Sequence, residues 1–292
     1  MLLSIVTLNY KKPDLTLLCI ESLQKQFEKE LKENEIELIV VDNASGDNSV
    51  KVLEDKIKEK KYKNISVIAN SENGGFGKGC NIGAASAKGK YILFLNNDTL
   101  VKDQSFLEMV KYMADHKEVA ILGGQLLNSD GTLQPSTGKF YTLFNAFLLL
   151  LGMQKFGLLD KSPEKISEVD WVKGGLLMIR KDVFLDLNGF DENIFMYTED
   201  MELCYRAREK SYKVFFYPEA MVLHAEHGSA SRSFAIIHIY KGLIYFYKKH
   251  KTYFEYSMLK ILLITKGIIA ITIGGLTGNS DLVSTYRKAI NF

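Results

Sequence analysis

The sequence predicts an α/β fold: a mostly parallel, Rossmann-like sheet flanked by helices, followed by a C-terminal helical, partly apolar segment. Three observations point there. Apolar runs alternate with helical patterns as β-α-β-α-β through the first hundred residues, which implies parallel strands with crossover helices on both faces. Each run ends in polar loop residues, where open parallel sheets bind their ligands. The length, 292 residues, exceeds ~100–200 residues per domain but suits one α/β unit of ~250 with an appended segment.

Element by element, residues 2–8 form a β-rich run, and residues 14–27 place Leu15, Leu18, Cys19 and Leu23 at helical spacing. Residues 37–41 are a second strand, ended by Asp42-Asn43-Ala44-Ser45-Gly46. A lysine- and glutamate-rich helix over 49–60 presents a solvated face. Residues 65–69 give a third strand, a glycine-rich stretch enters a helix around 81–88, and residues 91–95 form a fourth strand ended by Asn96-Asn97-Asp98. Beyond Leu100 the spacing predicts a helix over 106–115, a strand over 120–127, an apolar stretch over 140–151 and a strand over 171–180. A helix over 198–210 and two short strands, 214–217 and 221–224, complete this part.

A charged fraction of 25% and four prolines exclude a disordered or collagen-like chain. From Arg232 onward nine Lys or Arg face two Asp or Glu, a balance of +7, leaving −5 for residues 1–231. Such asymmetry points to an anionic partner for the C-terminal segment. With no helix-turn-helix, zinc-finger or RNA-binding sheet motif, nucleic acid fits less well than an anionic membrane surface. Cys19, Cys80 and Cys204 lack metal-ligand spacing and are odd in number, so a reducing cytoplasm is the default. Residues 2–8 are too short and lack the basic flank of a signal peptide.

Several residues could carry chemistry, each with a plainer alternative. Asp42 follows a buried-looking strand and could accept hydrogen bonds from a base or ribose, or simply start a turn. The stretch from Asn73 to Asn81, with Gly74, Gly75, Gly77 and Gly79, would let a backbone approach phosphate at a helix N-terminus, yet its spacing matches neither a Walker loop nor a dinucleotide fingerprint. Asp98 could bind Mg²⁺ or Mn²⁺ with substrate phosphates completing an oxygen shell. His224 or His227 could supply a second ligand. Thr198-Glu199-Asp200-Met201-Glu202 puts three carboxylates in a helix's first turn, which the dipole favours in any case; a general base is the functional alternative.

The order of these motifs says more than any one of them. Ser4-Ile5-Val6-Thr7-Leu8-Asn9-Tyr10, Val41-Asp42-Asn43-Ala44-Ser45, Asn73-Gly74-Gly75-Phe76, Leu95-Asn96-Asn97-Asp98-Thr99, Gly189-Phe190-Asp191-Glu192 and Tyr197-Thr198-Glu199-Asp200 follow one another. Over residues 2–232 the chain resembles glycosyltransferase family 2, within it the rhamnosyltransferase-like branch. The resemblance implies a GT-A fold, with a nucleotide-binding half about 1–100 and an acceptor half about 101–232, and inversion at the anomeric carbon. Carried over, Thr7, Asn9 and Tyr10 would border the nucleotide, Asp42 would hold base or ribose, and Asn73 and Phe76 would contact nucleotide or diphosphate. Asn81 would support that loop, and Asn97 would join the nucleotide contacts. Asp98 matches the last Asp of the family's Asp-x-Asp motif, while Asn96 stands where the first Asp belongs and lowers the site's charge. His224 matches a metal-ligating His of some members, with His227 as the alternative. Asp200 matches the catalytic Asp, and Glu199, Gly174, Gly175 and Arg206 would serve the acceptor side; a surface salt bridge is the other role open to Arg206.

The implied reaction moves a sugar, best L-rhamnose from dTDP-rhamnose, to a saccharide or polyprenyl-diphosphate-linked acceptor for surface polysaccharide. A UDP-hexose donor is the nearest alternative. A nucleotidyltransferase would need a glycine- and arginine-rich loop after the first strand, and Asn9-Tyr10-Lys11-Lys12 is not one; a non-catalytic nucleotide-sugar binder would not need Asp98, Asp200 and His224 together. Residues 233–292 interleave lysines with aromatics, and the apolar stretch 259–276 leaves only ten residues after Lys266, short of the ~20 that span a bilayer. That segment is expected to lie on the inner face of the cell membrane, or else to pack on the main domain or on a second copy in a homodimer.

Overall fold

A computed structural model describes residues 1–151, 159–160, 162–225 and 231–291. In chain order the elements are β1 (Leu3–Asn9), α1 (Pro13–Gln26), α2 (Glu28–Lys32), β2 (Ile36–Asp42), α3 (Ser49–Glu59), β3 (Ile65–Ala69), α4 (Gly75–Ser86), β4 (Tyr91–Leu95), β5 (Thr99–Val101), α5 (Ser105–Asp115) and β6 (Val119–Leu127). There follow β7 (Thr137–Gly138), α6 (Leu143–Leu150), β8 (Ser167–Glu168), β9 (Trp171–Val172), β10 (Leu176–Arg180), α7 (Lys181–Asp186), α8 (Glu199–Glu209), β11 (Lys213–His224), α9 (Arg232–His250), α10 (Tyr253–Leu276) and α11 (Ser280–Ala289).

The main sheet runs β3-β2-β1-β4-β10-β6-β11-β5, with β8 paired to β11. The first four strands are parallel, as the alternating pattern predicts. The second half is mixed: β10 lies antiparallel between β4 and β6, whereas β6 and β11 are parallel. Strand alternation divides the core between two faces. Leu3, Ile5, Leu38, Val40, Leu93 and Leu95 face α1 and α5, while Val6, Ile39, Val41, Ile92 and Phe94 face α4, α7, α8 and the C-terminal helices.

Three sequence readings change in detail. The strand expected over 171–180 is two strands, β9 and β10, broken by Lys173-Gly174-Gly175, because that turn approaches the helix carrying Asp200. The two strands expected at 214–217 and 221–224 are one strand, β11, whose pairing with β6 shifts register between Tyr217 and Met221. Pro218, lacking an N–H, falls in that irregularity. The apolar stretch 140–151 contributes α6, which buries Ala146 and Leu150 and exposes Phe144 and Phe147.

The C-terminal helices belong partly to the core: α9 buries Tyr240, Leu243, Phe246 and Tyr247, and α10 buries Leu259 and Leu263 in the same cluster. Gly242 of α9 permits this, since a Cβ there would stand 2.0 Å from Thr198 Oγ1 at the start of α8. Among the described residues α10 is the helix long and apolar enough to cross a membrane by length and composition. Its 24 residues run through Lys260 and Lys266, the two charges that interrupt the apolar stretch in the sequence.

Candidate active site

The carboxyl ends of β1, β2, β4, β6 and β11 open onto a cleft of about 630 Å³, closed on its other side by the β9–β10 turn and the start of α8. Its wall includes Tyr10, Lys12, Asn43, Asn73, Phe76, Asn96, Asn97, Asp98, Lys173, Gly174, Gly175, Tyr197, Glu199, Asp200 and His224. Ten of the residues singled out in the sequence thus meet in one cavity, drawn from both halves of the chain.

Thr7, Asn9 and Asp42 stand behind that wall rather than on it. Asp42 is 2% exposed; Asn9 Nδ2 donates to its Oδ1 at 3.3 Å and the Ser45 N–H to its Oδ2 at 3.2 Å. Asn97 Nδ2 donates to Thr16 Oγ1, which donates to Asn9 Oδ1, both at 2.9 Å. One chain of hydrogen bonds therefore pins the ends of β4, β1 and β2 to each other. The residue that faces the cleft after β2 is Asn43, whose Nδ2 donates to Asn73 Oδ1 and to the Gly75 carbonyl, both at 3.0 Å.

The glycine-rich stretch docks onto the segment before α8. The Phe76 N–H donates to the Phe195 carbonyl at 2.9 Å. Gly75, at φ +91°, has no room for a side chain: a Cβ would lie 2.2 Å from the Phe195 oxygen. Asn81 lies one turn further along α4 and outside the cleft wall. It donates to the Phe190 carbonyl and accepts from the Phe190 N–H, so it holds the 189–192 segment rather than the glycine turn.

Asp200 is held from both oxygens. The Gly174 N–H donates to Oδ2 at 2.9 Å and the Met201 N–H to Oδ1 at 2.7 Å. Burial pushes this carboxyl up from its ordinary value; the two amides and the nearby Lys173 oppose the rise. Beside it Glu199, 6% exposed, is pushed up to about 8, by burial first and by the charge of Asp200 second. Two like charges side by side oppose each other's ionisation, and backbone N–H groups meet both carboxyls: Glu199 Oε2 accepts from the Thr198 N–H at 3.0 Å.

Arg206 does not reach the cleft, which corrects its placement on the acceptor side. Its guanidinium is occupied by Glu202, by the Leu187 carbonyl and by the Gly189 carbonyl at 2.8 Å. It clamps α8 to the end of α7.

Asp98 and His224 are brought together by strand pairing, since β5 and β11 are antiparallel and place His224 opposite Thr99. Asp98 Oδ1 and His224 Nε2 are 3.3 Å apart, and Asn96 Nδ2 lies 3.1 Å from the same nitrogen. Two ligands at ~2.1 Å in adjacent positions of an octahedral ion would be about 3 Å apart, so the carboxylate and imidazole fit one hard divalent cation. Among the described residues no cluster of three His, Cys, Asp or Glu exists, and oxygens from a bound diphosphate would have to complete the shell. His227 lies outside the described residues.

Lys12, Lys173, Asn43 and Gln134 were not singled out from sequence. Lys12 and Asn43 sit in loops that were, directly after β1 and β2. Lys173 precedes the glycine turn, but nothing in its spacing announces that it faces Asp200.

The family model for glycosyl transferase family 2 matches residues 4–176. A second model, described as the N-terminal domain of galactosyltransferase, matches residues 162–228 and so spans Asp200 and His224. The rhamnosyltransferase WbbL of Escherichia coli K12 is 31% identical over 170 residues, 55% of this chain and 64% of its own. The O-antigen biosynthesis protein RfbC of Myxococcus xanthus is 30% identical over 165 residues, 52% of this chain and 12% of its own. The chain thus spans less than two thirds of either relative. Among solved structures, GalNAc-T7 with UDP, GalNAc and Mn²⁺ superposes with TM-score 0.63 at 18% identity, over 85% of this chain and 50% of that one. The mannosyltransferase PcManGT from Pyrobaculum calidifontis, in complex with GDP-Man and Mn²⁺, gives TM-score 0.60 at 13% identity, over 99% and 84%. At such identities these two share the GT-A-like fold and no more. With more than half of its length, including the ends of β1, β2, β4 and β6, matched by one family model, the chain belongs to glycosyl transferase family 2.

Proposed function

We propose that the protein is an inverting, divalent-metal-dependent glycosyltransferase that moves a sugar from a nucleoside-diphosphate donor to an acceptor hydroxyl in cell-surface polysaccharide synthesis. The observation that carries this reading is that one cleft holds Asp200, met by backbone N–H donors on both oxygens, together with the Asp98–His224 pair. Asp200 takes the proton of the acceptor hydroxyl as that oxygen attacks the anomeric carbon. Glu199, pushed up to about 8 by burial, would when protonated leave the pair's charge on Asp200. Asp98 and His224 would hold Mg²⁺ or Mn²⁺, which when bound supplies charge neutralisation at the departing diphosphate. Lys12 lines the same cleft as a further cation, and Tyr10, Asn43, Asn73, Phe76 and Asn97 form the wall against the nucleotide. One displacement by one base leads to inversion; retention through a covalent intermediate would call for a second, nucleophilic carboxylate, as in glycosidases.

The donor is dTDP-rhamnose in this reading, supported by the likeness to a rhamnosyltransferase, and the acceptor is a saccharide or a polyprenyl-diphosphate-linked saccharide at the inner face of the cell membrane. Support for the membrane surface comes from α6 and α10, which expose Phe144, Phe147, Ile261, Ile268, Ile269 and Ile273 beside a segment of balance +7. Because α10 packs along its length on α9, α11 and α6, an interfacial position fits better than a span. Nucleotide release from a panel of nucleotide sugars, with and without Mg²⁺ or Mn²⁺, tests the assignment. Metal-dependent release of dTDP from dTDP-rhamnose is expected; release of UDP from a UDP-hexose would overturn the rhamnosyl donor and keep the mechanism.

A further inference from the structure

Gln134 lies outside the cleft wall, 4% exposed, and every one of its side-chain polar atoms is engaged. Its Oε1 is 2.9 Å from His224 Nδ1. Its Nε2 donates to the His224 carbonyl at 3.0 Å and to Asn128 Oδ1 at 2.9 Å. Because a backbone carbonyl only accepts, Nε2 must face it, and Oε1 must then face the ring. Asn128 is fixed the same way: its Nδ2 donates to Thr132 Oγ1 at 2.7 Å, and Thr132 Oγ1 donates to Asp130 Oδ1 at 2.6 Å. Donation therefore runs in one direction, from the imidazole through Gln134, Asn128 and Thr132 to a carboxylate that can only accept.

From this relay we infer that Gln134 is a positioning residue that holds His224 as the Nδ1–H tautomer, so that the Nε2 lone pair is presented beside Asp98 to a divalent cation. The inference rests on the metal reading of the Asp98–His224 pair. With Nε2 unprotonated, Asn96 Nδ2 at 3.1 Å is the donor that meets its lone pair, while Asp98 Oδ1 at 3.3 Å is a second acceptor beside it, an arrangement that would gain from a cation taking the place of the Asn96 N–H. Outer partners of this kind fix ring orientation, and their loss costs about 10–100-fold in metal affinity.

The test uses the full chain with ¹⁵N-labelled histidine, His224 being assigned among five histidines by the resonance lost in His224→Gln. Long-range ¹⁵N–¹H correlations read the tautomer, and Mn²⁺ alone is titrated, read by loss of the free-ion electron paramagnetic resonance signal and by broadening of the His224 ring signals. In the wild type the Nδ1–H form and Mn²⁺ broadening are expected. Gln134→Leu should populate the Nε2–H form and weaken Mn²⁺ binding at least tenfold. Gln134→Glu still accepts from Nδ1–H, though it gives up the donation to the His224 carbonyl and to Asn128, and should keep the tautomer; it carries the test where Gln134→Leu fails to fold. An Nε2–H tautomer in the wild type would overturn the inference, as would a Gln134→Leu chain with wild-type tautomer and affinity. Equally, a Gln134→Glu chain that loses the tautomer would overturn it. A wild type that binds no Mn²⁺ at all would sink the metal reading and the positioning role together. That outcome differs from failure of the positioning role alone, in which wild type and variant bind Mn²⁺ alike.

Discussion

The backbone N–H of Gly174 donates to Asp200 Oδ2 at 2.9 Å, tying the β9–β10 turn to the first turn of α8. With the Met201 N–H on the other oxygen at 2.7 Å, the carboxylate meets donors on both sides and keeps its remaining lone pairs for the cleft. Asp200→Asn must turn its NH₂ toward one of these two N–H groups. Turnover is expected to fall about 10²–10⁴-fold, the usual worth of a positioned base, while donor affinity measured by calorimetry stays within a few-fold of wild type. Wild-type turnover in the variant would refute the assignment.

Glu199 gives a pH signature in stability. Its folded value, about 8, lies above an ordinary glutamate's in the unfolded chain, so the folded state binds the extra proton. The stability it contributes is fully present below the ordinary glutamate range and is lost as pH rises through about 8. Glu199→Gln should therefore melt close to wild type near pH 4 and several degrees above it at pH 9. A constant difference across that range would mean that the proton is not where the burial places it.

Much of this site was legible before the structure, for a physical reason. Polar residues at the ends of buried parallel strands have few structural tasks, so Asn96-Asn97-Asp98 after Tyr91–Leu95, and Asp42-Asn43 after Ile36–Val41, stood out against their apolar runs. Which of two adjacent polar residues faces the cleft was not legible: Asp42 turns inward to Asn9 and Ser45, and Asn43 faces out. Arg206 misled because its helical spacing from Asp200 fixes a position along α8 but not the partners that capture a long side chain. Gln134 was invisible because its meaning depends on His224, ninety residues away.

Glu202 is fully buried among Arg206, Lys249 and His250, and Lys249 also reaches Asp191. Its carboxyl is held below the ordinary value by these partners against the opposing effect of burial. Replacing one member of a buried ion cluster strands the others, at a cost of about 3–5 kcal/mol. Glu202→Leu should lower unfolding free energy in urea by that amount and loosen α9 from α8. Since the folded value is depressed, this stabilisation is present above the ordinary glutamate range and fades in acid. A loss under about 1 kcal/mol at pH 7 would show that the cluster is solvated enough to be dispensable.

Gly242→Ala probes the same helix contact from the packing side. A methyl group there would stand 2.0 Å from Thr198 Oγ1 and 3.0 Å from Thr198 Cγ2, and overpacking of this kind costs about 1–3 kcal/mol. Thr198 immediately precedes Glu199 and Asp200, so relief by a shift of α8 would move the base. A lower melting temperature together with a fall in kcat at unchanged donor KM is expected. The double variant Gly242→Ala with Thr198→Ala removes both Oγ1 and Cγ2 and should recover part of both; no recovery would place the strain elsewhere.

The exposed stripe on α10 makes the last prediction. Ile261, Ile268, Ile269 and Ile273 are each half exposed or more, although fully burying one such side chain is worth about 1.5–3 kcal/mol. Water is a poor neighbour for four of them in one helix face, and Lys248 and Lys251 at the end of α9 add charge that an anionic headgroup layer would attract by about 1 kcal/mol per cation near the surface. Ile268→Glu with Ile269→Glu should reduce co-sedimentation with vesicles containing anionic lipid at least tenfold, leave turnover of a water-soluble acceptor unchanged, and spare the fold because neither side chain is in the core. Added salt should weaken wild-type binding without abolishing it, since charge is screened and apolar burial is not. If vesicle binding survived the double substitution while light scattering changed from dimer to monomer, the stripe would be a contact between copies of the chain and the membrane would have to be met by another surface.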